Sequence, residues 1–186
     1  MGKACRHLRK KQPYSLDSAK VTEASDKWLK MRGVTIEELA ILVKEMQEPY
    51  FPDLSMDICV DSVNAVLSKR EVQNAILTGI QLDVLTEQKK LMQPLQDMLE
   101  NDEGLYGCDE ILALSIVNVY GSIGLTNFGY IDKVKPGVVG RLNDKKRDGC
   151  HTFLDDIAGA IVAAASSRIA HRKQEEMEKA KAQKAE

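Results

Sequence analysis

Aromatic side chains are scarce, 5% of 186 residues, while Leu, Ile, Val, Ala and Met are plentiful. That balance disfavours a sheet sandwich and favours helices packed on helices. Nowhere do apolar and polar residues alternate cleanly over strand length, and no segment repeats. Cysteine is present but never clustered: Cys5, Cys59, Cys108 and Cys150 stand far apart, without a C-x-x-C pair. This spacing excludes a zinc ribbon and a small secreted disulfide frame, and it points to reduced thiols in a cytoplasmic setting. Charge of one sign is also lacking. A net charge of -2 creates no field toward polyanions, so no nucleic-acid partner is expected. The N-terminus has no apolar core of a signal peptide, and Arg6 breaks the myristoylation pattern that would follow Gly2. The longest apolar run, Ile111 to Leu125, is interrupted by Ser115, Asn118 and Ser122. It falls short of the roughly 20 residues needed to span a bilayer, so it reads as a buried helix.

What is present is the material of one all-α domain, a single compact multi-helix unit. Hydrophobic residues make up 44% and charged residues 29%, ordinary for a globular chain of this length. Residues 1–20 read as a basic, flexible arm with Lys3, Arg6, Arg9, Lys10 and Lys11; residues 21–170 as the helical domain; residues 171–186 as a charged helical extension or tail. Within the domain, a helix is expected from Ser18 to Met31, stopped by Gly33. Thr35 and Glu38 have capping-box spacing before Ile36, Leu39, Ala40, Val43 and Met46. Ser55 caps the next helix, and Ser68 with Glu71 forms a second capping box. The helix it opens carries Val72, Ala75, Ile76, Gly79, Ile80, Asp83 and Val84, with Gly79 suited to a close crossing. A short helix follows from Pro94 to Leu99. Another spans 109 to about 120, before a glycine-rich turn at Gly121, Gly124 and Gly129. Thr152 is expected to cap the last helix, whose Ala158 to Ala165 segment suits tight packing.

Carboxylates punctuate the apolar segments between 104 and 165: Asp109 and Glu110, then Asp132, then Asp155 and Asp156. Acids at the start of apolar helices either favour the positive helix terminus or belong to a charged site set into the core. Adjacent helical side chains diverge by about 100°, so Asp109 and Glu110 are not expected to reach one point equally well. Asp155 and Asp156 precede residues that are almost all apolar, and an unpaired charge buried there would cost several kcal/mol. A hard divalent cation lets such acids share a site. Asp132-Lys133-Val134-Lys135-Pro136 adds ammonium groups that suit a phosphate, and Arg70 offers a further contact. Acids for Mg²⁺ and lysines for phosphate, with no nucleophile-histidine pair nearby, suit phosphoryl chemistry.

Asp109-Glu110-Ile111, Asp132-Lys-Val-Lys135-Pro136 and Asp155-Asp156-Ile157 with Gly159 resemble the three motifs of the phosphatidylglycerophosphatase A family. The stretch Ser68 to Asp83 is similar to its soluble branch, that of the low-temperature-requirement C proteins of Gram-positive bacteria. The resemblance implies an all-helical fold and Mg²⁺-dependent removal of phosphate from phosphatidylglycerophosphate, yielding phosphatidylglycerol in phospholipid biosynthesis. By position, it implies a metal site of Asp109, Glu110, Asp132, Asp155 and Asp156, the aspartates being catalytic. Lys135 would face the phosphate. Water and an aspartate both remain open as the nucleophile.

The Pro-Gly-Thr-x-Gly-Ser loop of the family's membrane enzymes is not found in the sequence, which motivates a second reading: a non-catalytic helical binding or regulatory protein. A third, an all-α nucleotide pyrophosphohydrolase, follows from the acid pairs Glu100-x-x-Glu103 and Glu175-x-x-Glu178. The expected partners are a lipid-linked phosphomonoester, met peripherally at the inner face of the membrane, where the basic arm offers a contact with anionic lipid, and a second copy of the chain.

Overall fold

A computed structural model describes residues 17–144 and 149–183; the basic cluster of the N-terminal arm falls outside them. The helices are α1 (Ser18–Met31), α2 (Ile36–Gln47), α3 (Met56–Leu67), α4 (Arg70–Glu87), α5 (Leu95–Glu100), α6 (Cys108–Val117), α7 (Gly121–Val134), α8 (Gly137–Leu142) and α9 (Leu154–Gln183). No strand occurs among the described residues. The fold is all-α.

Its axis is the first half of α9. Every residue from Thr152 to Ser167 is buried, as expected of a helix that is apolar on all sides. α2, α3, α4, α6, α7 and α8 all pack against it. Beyond His171 the helix continues to Gln183, with charged and largely exposed side chains.

Locally encoded ends form where the residues predict them. Thr35 and Glu38 make the reciprocal capping box of α2, and Ser55 accepts the amide hydrogen of Ile58 at 3.4 Å. Two expected caps do not form. Ser68 donates to the carbonyl of Ala65 at 2.9 Å, and α4 starts at Arg70 without a side-chain cap. Thr152 donates to the carbonyl of Leu99 at 2.8 Å, and α9 is capped from elsewhere.

The glycine-rich turn expected after residue 120 is instead α7. Gly124, Phe128 and Ile131 form its buried stripe, and this spacing outweighs the low helix propensity of glycine. Gly121, at φ 75°, marks the break after a short 3-10 turn at Asn118–Tyr120. Cys108–Val134 is consequently a 27-residue helical run, long and apolar enough to cross a membrane by length and composition, with 28% of its most apolar window buried. This corrects the reading of a short, buried apolar segment. The run nevertheless folds back at Gly121. Its beginning, at Asp109, and its end, at Lys135, both meet Asp156, while the Tyr120 carbonyl accepts from Ser167 at 2.8 Å, three turns along α9.

Gly79 sits where α4 crosses the start of α9. A Cβ there would stand 2.3 Å from Ile157 Cδ1 and 3.0 Å from Phe153 Cβ, whereas one at Gly129 would meet nothing within 4 Å. Gly79→Ala should therefore lower stability by about 1–2 kcal/mol, overpacking exceeding the gain in helix propensity. Gly129→Ala should raise it by up to about 1 kcal/mol. Denaturant unfolding of the two variants checks both signs.

Candidate functional site

The acidic segments converge at one pole of the bundle. α6 presents Asp109 and Glu110 in its first turn, α9 presents Asp155 and Asp156 in its first turn, and α7 presents Asp132 in its last. Oxygens of Asp109, Glu110 and Asp156 lie within 4.8 Å of one another. Both members of the Asp109-Glu110 pair thus reach the same point, contrary to the divergence expected of neighbours; the extra methylene of glutamate compensates for its different direction.

The five acids divide between one ammonium and an acid cluster. Lys135 Nζ lies 2.8 Å from Asp132, 2.9 Å from Asp155 and 3.1 Å from Asp156. Asp156 is shared between this ion-pair group and the Asp109–Glu110 cluster. Asp132 and Asp155, expected as metal ligands, therefore face an ammonium in this structure. Lys133 stands exposed on α7. Arg70, expected near the phosphate, lies at the start of α4 and donates to Ser18 Oγ at 2.6 Å; thirteen residues of helix, about 20 Å, separate it from Asp83 at the site's edge.

The aim of Lys135 is set by the backbone. Pro136 cannot continue α7 and crowds the helical conformation of the preceding residue. Lys135 takes up φ 48°, ψ 58° instead, a left-handed conformation that costs a non-glycine residue about 1 kcal/mol or more. Gly140 keeps room for it: a Cβ there would stand 2.2 Å from the Lys135 carbonyl oxygen.

Burial dominates the electrostatics. It pushes Asp109 up to about 8, helped by its contact with Glu110, and Asp156 up to about 7, helped by Asp155. Asp155 is also raised by burial, against the pull of Lys135. Burial alone would lower the Lys135 ammonium, but Asp155, Asp132 and Asp156 outweigh it and hold the lysine above its ordinary value. Glu110 Oε2 is buried and has no hydrogen-bond partner. An orphaned oxygen among crowded carboxylates fits a hard cation: all three donors are oxygen, without thiolate or imidazole, the set that suits Mg²⁺ or Mn²⁺. Beside Asp155 opens a cavity of about 240 Å³, lined by Asn101, Asp102, Asn143, His151 and Thr152 among others.

Sequence reasoning missed Asp83. It is fully buried, and its two oxygens accept the amide hydrogens of Phe153 and Leu154, each at 3.1 Å. This is the cap of α9. Burial pushes its carboxyl up to about 8, against those amides and Arg32. The available signal was its register: Ile76, Gly79, Ile80 and Asp83 share one buried stripe of α4. His151, just before α9, is half-buried, with Nδ1 facing Arg32 at 3.1 Å. Of the glutamate pairs of the third reading, Glu100 lines the cavity beside Asp155 but pairs with Lys89, and Glu178 accepts from Gln174 at 2.6 Å on exposed α9.

These shifts carry a sign. Asp83, Asp109 and Asp156 hold protons in the folded chain that the unfolded chain releases near pH 4. Between about pH 4 and 8 the folded state binds more protons, so stability falls as pH rises. The raised Lys135 adds no slope there, being protonated in both states. In EDTA, Tm should fall from pH 5 to pH 8, and Asp109→Asn should flatten the fall; thermal melts at a series of pH values read both.

YutG of Bacillus subtilis is 68% identical over 144 residues, 77% of this chain and 87% of that protein. YpjQ of the same organism is 56% identical over 155 residues, 83% of this chain and 87% of that one. The crystal structure of the low temperature requirement C protein from Listeria monocytogenes superposes with a TM-score of 0.82 at 58% identity, covering 85% of this chain and 99% of that one. The pattern of Phosphatidylglycerophosphatase A matches residues 31–171, a range that includes all three acidic segments. The chain belongs to the phosphatidylglycerophosphatase A family.

Proposed function

We propose that this chain is a Mg²⁺-dependent phosphatase that hydrolyses a phosphomonoester, with phosphatidylglycerophosphate as substrate and phosphatidylglycerol as product. The observation that carries the reading is the buried, unpartnered Glu110 Oε2 within the Asp109–Glu110–Asp156 cluster, one side chain away from the Lys135 ammonium. Asp109, Glu110 and Asp156 would hold the metal. When bound, Mg²⁺ supplies Lewis-acid polarisation of a phosphoryl oxygen and offsets charge. Lys135 contributes a positive charge beside it, held in place by Asp132 and Asp155, that would face the phosphate dianion. Burial of the acids keeps bulk water from screening these charges. In the reaction a water oxygen bonds to phosphorus, the ester P–O bond breaks, and one of the water's two protons passes to the departing alcohol oxygen while the other stays on the phosphate.

Two features support a lipid-linked substrate. Leu105, Ile111 and Val134, neighbours in sequence of Asp109, Glu110 and Lys135, are exposed at 91%, 66% and 51%. Apolar side chains so exposed suit an interface with lipid. The polar cavity beside Asp155 suits a hydroxylated glycerol group better than an acyl chain. The enzyme would then work from the cytoplasm, peripherally at the inner face of the membrane; pairing with a second copy is part of the same proposal.

Phosphate release from phosphatidylglycerophosphate in mixed micelles tests the chemistry. Release is expected with Mg²⁺ and not with EDTA. Asp156→Asn and Lys135→Met should each lower kcat by about a hundredfold or more, the scale of losing one preorganised charge. No metal-dependent release from this lipid or from soluble phosphomonoesters would reject the reading. The lipid surface has its own check: Leu105→Ser with Ile111→Ser should weaken binding to anionic vesicles and leave Mn²⁺ binding in solution unchanged.

A further inference from the structure

The side of α4 that faces the start of α9 presents three residues one turn apart, Gly79, Asp83 and Glu87, none of them in the acid cluster. Asp83 accepts from the amides of Phe153 and Leu154, each at 3.1 Å. Glu87 accepts from the amide of Cys150 at 2.8 Å and pairs with Arg32 at 2.7 Å. Arg32 in turn donates to the carbonyl of Cys150 at 2.5 Å. Gly79 contributes closeness: the position of its missing Cβ is 3.0 Å from Phe153 Cβ. The lead-in to α9 is thus tied to one face of α4 at Cys150, Phe153 and Leu154.

A helix can be capped far more cheaply. Serine, threonine or aspartate at the N-cap position does so from within the same turn, without burying a carboxyl group. Thr152 stands close to that position, yet its hydroxyl is committed to Leu99. A cap brought in from α4 does something a local cap cannot: it ties the rotation and height of α9 to another helix. Asp155 and Asp156 directly follow Leu154, whose amide is one of the two held. One residue of slippage would turn both acids by about 100°.

We infer that Asp83 is a positioning residue of the metal centre. It sets the first turn of α9 so that Asp156 meets Asp109 and Glu110 while Asp155 meets Lys135. Such outer partners tune a metal site by orienting its ligands. The inference rests on the reading that the acid cluster holds a divalent cation, and the experiment separates the two.

Mn²⁺ alone serves as the probe, its affinity measured by titration calorimetry and by its electron paramagnetic resonance signal at fixed pH. Asp83→Ala should weaken binding by about ten- to a hundredfold, the range for loss of an orienting partner. Asp83→Asn, which retains one acceptor oxygen, should recover part of the loss; it also decides the matter if the alanine variant does not fold. Ser62→Ala is the control for destabilisation alone. It removes the hydrogen bond to the Ala165 carbonyl at 2.9 Å, far along α9 from the site, and should lower Tm with unchanged Mn²⁺ affinity. Folded Asp83 variants that bind Mn²⁺ within about twofold of wild type would overturn the inference while leaving the metal site standing. So would Ser62→Ala weakening Mn²⁺ binding as much as the Asp83 variants do. A wild-type chain that binds no Mn²⁺ would overturn the metal reading and this inference together.

Discussion

Carboxylates crowded into a largely buried pole repel one another and lose their hydration, and everything at this end of the molecule answers that problem. A buried ion costs several kcal/mol unless it is paired. Lys135 supplies one counter-charge, shared among Asp132, Asp155 and Asp156. Its reach into the group depends on a strained left-handed backbone, on Pro136 ending α7, and on the bare Cα of Gly140. One ammonium does not satisfy the whole group. Asp109 and Glu110 lie beyond it, one with a strongly raised pKa and the other with an orphaned oxygen.

The same constraint explains the course of the chain. α6 leaves the acidic pole, breaks at Gly121, and α7 returns to it. Both run beside α9, so a stretch without a charged residue between Glu110 and Asp132 becomes a hairpin of helices with charged groups at its open end. Length and hydropathy alone would allow this stretch to traverse a bilayer. The convergence of its two ends on Asp156 determines its path in this fold.

Much of this was legible in the residues, and the failures have a common cause. The all-α class, the capping box at Thr35 and Glu38, and the close crossing at Gly79 depend on spacing within one helix. The three acidic segments were recognisable because their order and approximate spacing match a family motif. What could not be read was decided by contacts distant in sequence. The cap of α9 comes from Asp83 rather than neighbouring Thr152. α7 survives its glycines because Gly124, Phe128 and Ile131 pack on one side. Arg70 offers only its charge as a reason to group it with the site, and the length of α4 carries it away. The division of five acids between Lys135 and the Asp109–Glu110 cluster depends on how far each side chain reaches, which no local pattern records.

α9 ends in a polar rod. From Asp156 to Gln183 there are 28 residues of unbroken helix, buried at first and exposed beyond His171, about 40 Å along the axis. Cargo joined at Gln183, whether a fluorescent label or a surface tether, would be held at arm's length from the acidic pole, its last turns of support being the charged, exposed ones beyond His171.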